Sequence, residues 1–141
     1  MLKPVIVGKL ANPSGIAITQ DEKAIFVAET SMNRILRVVN HASGVYHTSV
    51  FHQFTGRFGP TSIAISEEGL VYVARFDFQD TSQDGLITVL NQSGHVEQEL
   101  SLPGCPEITG LCFSKQQADI LYGTESSTNS LLKILIGDNQ D

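Results

Sequence analysis

The stretch GIAITQDEKAIFVAE (15–29) decides the fold, because its parts return twice along the chain. GIAIT at 15–19 recurs as SIAIS at 62–66 and as GLCFS at 110–114, with start-to-start spacings of 47 and 48 residues. A second segment keeps step as AIFVAE (24–29), LVYVAR (70–75) and DILYGT (119–124). A third follows as RILRVV (34–39), LITVLN (86–91) and LLKILI (131–136). A period of about 45 residues built from short apolar segments is the mark of a β-propeller blade, not of a helical solenoid.

Residue type supports the same reading. Each segment is rich in Ile, Val, Leu, Phe and Tyr and is bounded by turn residues, which predicts strands. The links QDEK (20–23), SEEG (66–69) and SKQQAD (114–119) join the first two segments of each copy. NHASG (40–44), NQSG (91–94) and IGDN (136–139) fall after the third segment. Asn and Gly tolerate the positive φ that tight hairpins need. VYHTSVFHQF (45–54) and HVEQELSLP (95–103) then read as outer strands. The expectation is an all-β propeller with three blades, at about 14–54, 60–103 and 108–136, forming a single half-propeller domain over 1–141.

An apolar run, Pro4 to Leu10, precedes the first blade, and the third blade lacks a fourth strand. With strands a to d running from channel to rim, the phasing is d, abcd, abcd, abc. Three blades fall below the usual range of about four to eight. A two-fold homodimer would give a six-bladed ring, with each Pro4–Leu10 strand completing the partner's third blade. The rival expectation is a folded piece, or half of a longer or mixed assembly.

The charge balance bounds the partners. Nine Lys and Arg face 15 Asp and Glu, for a net charge of −6 and a pI near 5.1. The basic residues are scattered, whereas phosphate-binding surfaces cluster them, so nucleic acid is not expected. No stretch approaches the run of about 18 apolar residues that spans a bilayer. The start, MLKPVIVGKL, is broken by Lys3, Pro4 and Lys9, so no secretion signal is visible and a cytoplasmic location is expected.

NPSGIAITQDEKAIFVAETSMNRILRVV (12–39) resembles the six-bladed propellers of the gluconolactonase and strictosidine-synthase-like superfamily, with NHL-type repeats as close relatives. The resembling marks are a Pro-Asn-Gly-like start, a Val-Ala-Glu-Thr strand end and an Asn-Arg-Ile return. GPTSIAISEEGLVYVARF (59–76) and CPEITGLCFSKQQADILYGTESSTNSLLKI (105–134) match more loosely. The blade pattern serves lactonases, esterases, a Pictet–Spengler enzyme and binding scaffolds alike, so fold alone does not fix activity. The resemblance implies a divalent cation, usually Ca²⁺, held by Glu, Asn and Asp just before innermost strands. Here those slots hold Ser14, Thr61 and Thr109. Neutral hydroxyls are poor ligands for a hard dication, so no metal or other cofactor is expected. Glu107 is the nearest acid that could support a channel Ca²⁺.

Other candidates are weighed against plainer roles. Glu29 is a candidate base or metal ligand, but Arg34 stands where it would form a cross-strand pair. Its counterparts in the other copies read as Arg75 and Thr124, which gives no carboxylate ring. Glu125 is the second catalytic candidate. Arg57, Arg75 and Asp77, with Asn33 and Asn129, mark a rim that could hold a small anionic or sugar-like ligand. The loop FDFQDTSQDG (76–85) there breaks the repeat, and adds Asp80 and Asp84. Against a ligand role stands a solvated loop with local salt bridges. His41, His47, His52 and His95 fall at the periphery, and His47 and His52 point to opposite strand faces. Cys112 takes the slot of Ala17 and Ala64, and so reads as a buried space-filler. Cys105 is seven residues earlier, and a disulfide between them has no particular support.

Three functions stay open on these grounds. The first is a binding module for a small polar molecule or peptide at the channel or rim. The second is a lactonase- or esterase-like hydrolase with a metal on Glu29, Glu107 or Glu125. The third is a structural part of a larger assembly.

Overall fold

Apolar residues flank the alternating positions of nearly every short segment, so each strand can bury both of its faces. The computed structural model describes residues 1–137 and is all-β, with three antiparallel sheets. The first contains β1 (Pro13–Ile18), β2 (Ala24–Glu29), β3 (Arg34–Ala42) and β4 (Val45–Gln53). The second contains β5 (Phe58–Ile65), β6 (Val71–Asp77), β7 (Gly85–Leu90) and β8 (Val96–Leu102). The third contains β9 (Ile108–Phe113), β10 (Ile120–Glu125) and β11 (Ser130–Leu135). Strands pair in sequence order, as in propeller blades, and a single 3₁₀ turn at Thr30–Met32 is the helical content of the described residues. Residues 138 and 139 of the turn expected at 136–139 lie outside them.

Register sets which positions are equivalent. Ala17 pairs with Phe26, Ala64 with Tyr72 and Cys112 with Tyr122. Ile120 therefore matches Ala24 and Val71 follows Leu70 in the corresponding place. The equivalent of Glu29 is Glu125, which corrects the expectation that it is Thr124. The cause is turn length: backbone bonds close the first hairpins at Thr19–Ala24, Ser66–Leu70 and Ser114–Ile120, so each turn differs in residue number.

Two apolar cores separate the sheets. Ala24, Phe26, Ala28, Ile35 and Phe54 of the first part meet Ile63, Val71, Val73 and Leu90 of the second sheet. The opposite face of the second sheet, with Ala64, Tyr72, Ala74, Ile87 and Val89, meets Ile108 and Leu121 of the third. Among the described residues, only the middle sheet has both faces covered. Ile63 is 4% exposed but its first-sheet equivalent Ile16 is 71% exposed, and Ile87 is 0% exposed but its third-sheet equivalent Leu131 is 74% exposed.

One expectation needs correction. Cys112 is exposed, not buried, because its face of the third sheet has no following sheet, whereas the equivalent Ala64 does. Within the single chain Pro4–Leu10 forms no strand, and the segment shares a cleft with Arg34, Leu36, Tyr46 and Val50 on the side of the first sheet.

The first two sheets are also pinned at Gly94, in the β7–β8 turn. Its φ is +83°, and a Cβ there would collide with the Phe51 carbonyl. Its own carbonyl lies 2.8 Å from His52 Nδ1. Gly94→Ala combines left-handed strain with a backbone clash, and should cost roughly 2–3 kcal/mol. Urea unfolding measures this; an unchanged midpoint would show that the turn is not a fixed point of the seam.

Candidate functional site

The repeat carries a hydroxyl at the start of each innermost strand, and the fold brings these together at one mouth. Ser14, Thr61 and Thr109 line a shallow depression of about 430 Å³ with Phe76, Glu107 and Ser126. Two of these hydroxyl positions stitch neighbouring sheets together. Thr61 Oγ1 donates to the Ile108 carbonyl of the next sheet at 3.1 Å and approaches the Ala74 carbonyl of its own at 3.2 Å. At the equivalent place in the preceding seam the acceptor is the Pro60 carbonyl. Thr30 Oγ1 donates to it at 2.8 Å, and Ser14 Oγ stands 2.6 Å from that hydroxyl and 3.3 Å from the carbonyl. Among the described residues Thr109 meets no further sheet, and its hydroxyl lies 2.9 Å from Thr124 Oγ1.

Phe76 and Ser126 were not singled out from sequence as mouth residues. They follow Arg75 and Glu125 as Thr30 follows Glu29, so the three residues occupy one repeat position. The resemblance of ETSMN (29–33) to ESSTN (125–129) would have revealed this, given the right register.

Glu29 and Glu125 are buried structural anchors. The expected Glu29–Arg34 pair forms, with Nε 2.6 Å from Oε1, and Oε2 accepts the Ala11 N–H at 2.8 Å. Glu125 repeats the device, accepting the Glu107 N–H at 2.7 Å, the Thr128 N–H at 2.7 Å and the hydroxyls of Ser127 and Thr128. Burial alone would raise the Glu125 carboxyl; these donors outweigh it and bring it from 4.5 to about 2. Asn33 and Asn129 follow in the same turns, both left-handed with φ of 54°. The Asn33 amide donates to the Gly56 carbonyl at 3.1 Å.

The rim residues are likewise engaged within the fold. Arg57 pairs with Asp77 at 3.1 Å. Burial would raise the Asp77 carboxyl, but N–H groups of Gln79, Thr81 and Ser82 and the Thr81 hydroxyl hold it below its usual value. Arg75 lies 4.1 Å from the Phe54 ring centre and donates to the Phe58 carbonyl at 3.0 Å and to Thr88 Oγ1 at 3.2 Å. Burial pushes this guanidinium below its usual value, opposed by the Glu99 carboxylate. Asp84 accepts the Gly104 N–H at 3.0 Å. The loop thus has the local salt bridge expected of it, and Arg75 is in addition packed on an aromatic ring. Both cysteines are free thiols, and His41 stacks on His47 with ring centres 4.1 Å apart at the far hairpin.

A divalent cation does not fit the mouth. Glu107 is its one carboxylate among the described residues and already accepts the Ser126 hydroxyl at 2.6 Å. No group of three or more His, Cys, Asp or Glu among those residues could hold a metal. Hydroxyls engaged with carbonyls are a weak donor set for a hard ion.

Residues 3–127 match the family model described as SMP-30/Gluconolactonase/LRE-like region. Lactonase drp35 of Staphylococcus aureus (strain MW2) is 30% identical over 106 residues, covering 72% of this chain and 31% of the relative. The calcium-binding protein regucalcin from Agrobacterium tumefaciens superposes with a TM-score of 0.65 at 24% identity, over 79% of this chain and 37% of that one. The PQQ-bound aldose sugar dehydrogenase from Streptomyces coelicolor gives 0.67 at 16% identity, over 95% and 47%. These two structures share the fold with this chain, which spans about a third of the length of the curated relatives it matches.

Because the folded Glu125 carboxyl lies below the unfolded one, its stabilisation is complete above about pH 4.5 and is lost as pH falls toward about 2. Glu125→Gln should cost about 2 kcal/mol at neutral pH and flatten the acid limb of a stability-versus-pH profile. Denaturant titrations across that window check it, and an unchanged acid limb would remove Glu125 from its anchoring role.

Proposed function

Because the chain belongs to the SMP-30/Gluconolactonase/LRE-like family, we propose that it is a binding module for a small, uncharged, polyhydroxylated molecule at the channel mouth. The observation that carries this is the lining: hydroxyls of Ser14, Thr109 and Ser126 beside the Phe76 ring, with a single carboxylate at Glu107. Hydroxyl groups exchange hydrogen bonds with a polyol, and an aromatic ring covers the apolar face of a sugar-like ring. Of the cations that would select an anion, Arg75 is bonded to a carbonyl within the fold, and the half-exposed Arg57 already pairs with Asp77. This reading takes the three sheets as half of a six-bladed ring, with a second copy of the chain supplying the other half and closing the channel.

A metal-dependent hydrolase is the second reading, favoured by relatives that carry the name lactonase. Against it stands the poor donor set of the mouth.

The two are separated by titrating D-glucitol and D-glucose into labelled protein and following amide shifts, alongside hydrolysis of an aldonolactone with and without Ca²⁺. The binding reading expects shifts confined to the amides around Thr61, Thr109 and Ser126, weakened about tenfold by Phe76→Ala, a loss of about 1.4 kcal/mol. Ca²⁺-dependent turnover abolished by Glu107→Gln would overturn it in favour of the hydrolase. Neither shifts nor turnover would leave the mouth without a role.

A further inference from the structure

A hydroxyl has one proton to give and lone pairs with which to accept, so what it offers a ligand depends on where its proton already goes. At the mouth that proton can be traced for each lining hydroxyl. Thr30 gives its own to the Pro60 carbonyl at 2.8 Å, so in the 2.6 Å contact between Ser14 and Thr30 the donor is Ser14. Thr61 gives its proton to the Ile108 carbonyl at 3.1 Å, with the Ala74 carbonyl at 3.2 Å as the other acceptor in reach. Ser126 gives its proton to Glu107 Oε2 at 2.6 Å, since a carboxylate only accepts. The acceptors beside Thr109 are Thr124 Oγ1 at 2.9 Å and the Thr124 carbonyl at 3.4 Å. Glu107 Oε1 has no donor among the described residues.

The side chains around this depression therefore turn lone pairs, not protons, toward whatever enters it. Resting on the reading of the mouth as a polyol site, we infer that the mouth is a hydrogen-bond acceptor, which selects its ligand by the O–H or N–H protons that the ligand brings. The ligand's hydroxyls donate to the oxygens of Ser14, Thr61, Thr109 and Ser126 and to Glu107 Oε1. A group that carries only acceptors finds no side-chain donor in the lining. A carboxylate also meets the charge of Glu107.

Reversing a hydroxyl to serve such a group is costly, because each proton already has work in the fold. Turning Ser126 leaves Glu107 without that donor, and turning Thr61 removes a bond between the second and third sheets. A buried acceptor left without its donor costs more than the bond itself gains. Glu107 is thus the specificity-determining residue of the mouth. It takes Ser126's proton and excludes anions, so it favours free polyols and amino polyols over sugar acids and ethers.

Two measurements on the full chain test this, one of them without any ligand. Three-bond couplings in labelled protein read the χ1 rotamers of Ser14, Thr61 and Ser126. A single rotamer is expected for each. Averaging over several would overturn the inference, whether or not a polyol binds, because the protons would then be free. The second measurement follows amide shifts with D-glucitol, 1-amino-1-deoxy-D-glucitol, D-gluconate and hexa-O-methyl-D-glucitol. The amine is expected to bind at least as tightly as D-glucitol, and the acid and the ether at least about tenfold more weakly. Glu107→Gln should bring D-gluconate to within about threefold of D-glucitol, because the opposing charge is gone. D-gluconate or the ether binding the unaltered protein as tightly as D-glucitol would overturn the inference. If D-glucitol gives no shifts, the polyol reading fails by itself. Shifts at the mouth from the amine but not from D-gluconate would then still support an acceptor mouth, and the reverse would overturn it.

Discussion

Burial of one sheet face against the next is the constraint on which everything else in this molecule depends. Strands with apolar residues on both faces gain stability only when both are covered, at roughly 25 cal/mol for each Å² of apolar surface removed from water. Here Val73, Ile87 and Leu90 of the middle sheet are fully enclosed, while Ile16 and Leu131 in the outer sheets face solvent. Repeating architectures pass this requirement from unit to unit until the array closes or is capped. Positions that look like candidates for chemistry serve that stacking first. The hydroxyls before the innermost strands link one sheet to the carbonyl of the next, at the place where the resemblance would put ligands for a metal.

The buried acids belong to the same economy of structure. Glu29 and Glu125 each sit at the end of the second strand and gather N–H groups from the loop that enters the first. One adds a guanidinium and the other two hydroxyls, so the anchoring is conserved within the repeat while its partners change. In the middle sheet Arg75 takes the position and reverses the charge, donating to a carbonyl and covering Phe54. Asp77 then becomes the acceptor that organises the longer loop. At the mouth, Phe76, Ser126 and Glu107 stand beside the hydroxyl series.

Much of this was legible in the sequence, for physical reasons that particular residues show. GIAIT, SIAIS and GLCFS kept their pattern because the innermost strands pack most closely and tolerate the fewest side chains. Glu29 and Arg34 are near in sequence and face each other across a hairpin, so their pairing could be read directly. The equivalence of Glu29 and Glu125 could not, because the intervening turns differ in length and only backbone pairing reveals the shift. The contact of Arg75 with Phe54 joins separate sheets, and no local pattern encodes it. Cys112 misled in the opposite way: its slot is a core slot, but the sheet that would cover it is not present in the described chain.

The proposed function takes the three sheets as half of a closed ring, and small-angle X-ray scattering of the purified chain tests that proposal most directly. The account predicts a particle of about twice 15.3 kDa whose distance distribution is that of a compact disc with a central channel. A particle of single-chain mass shaped as an open arc would contradict it.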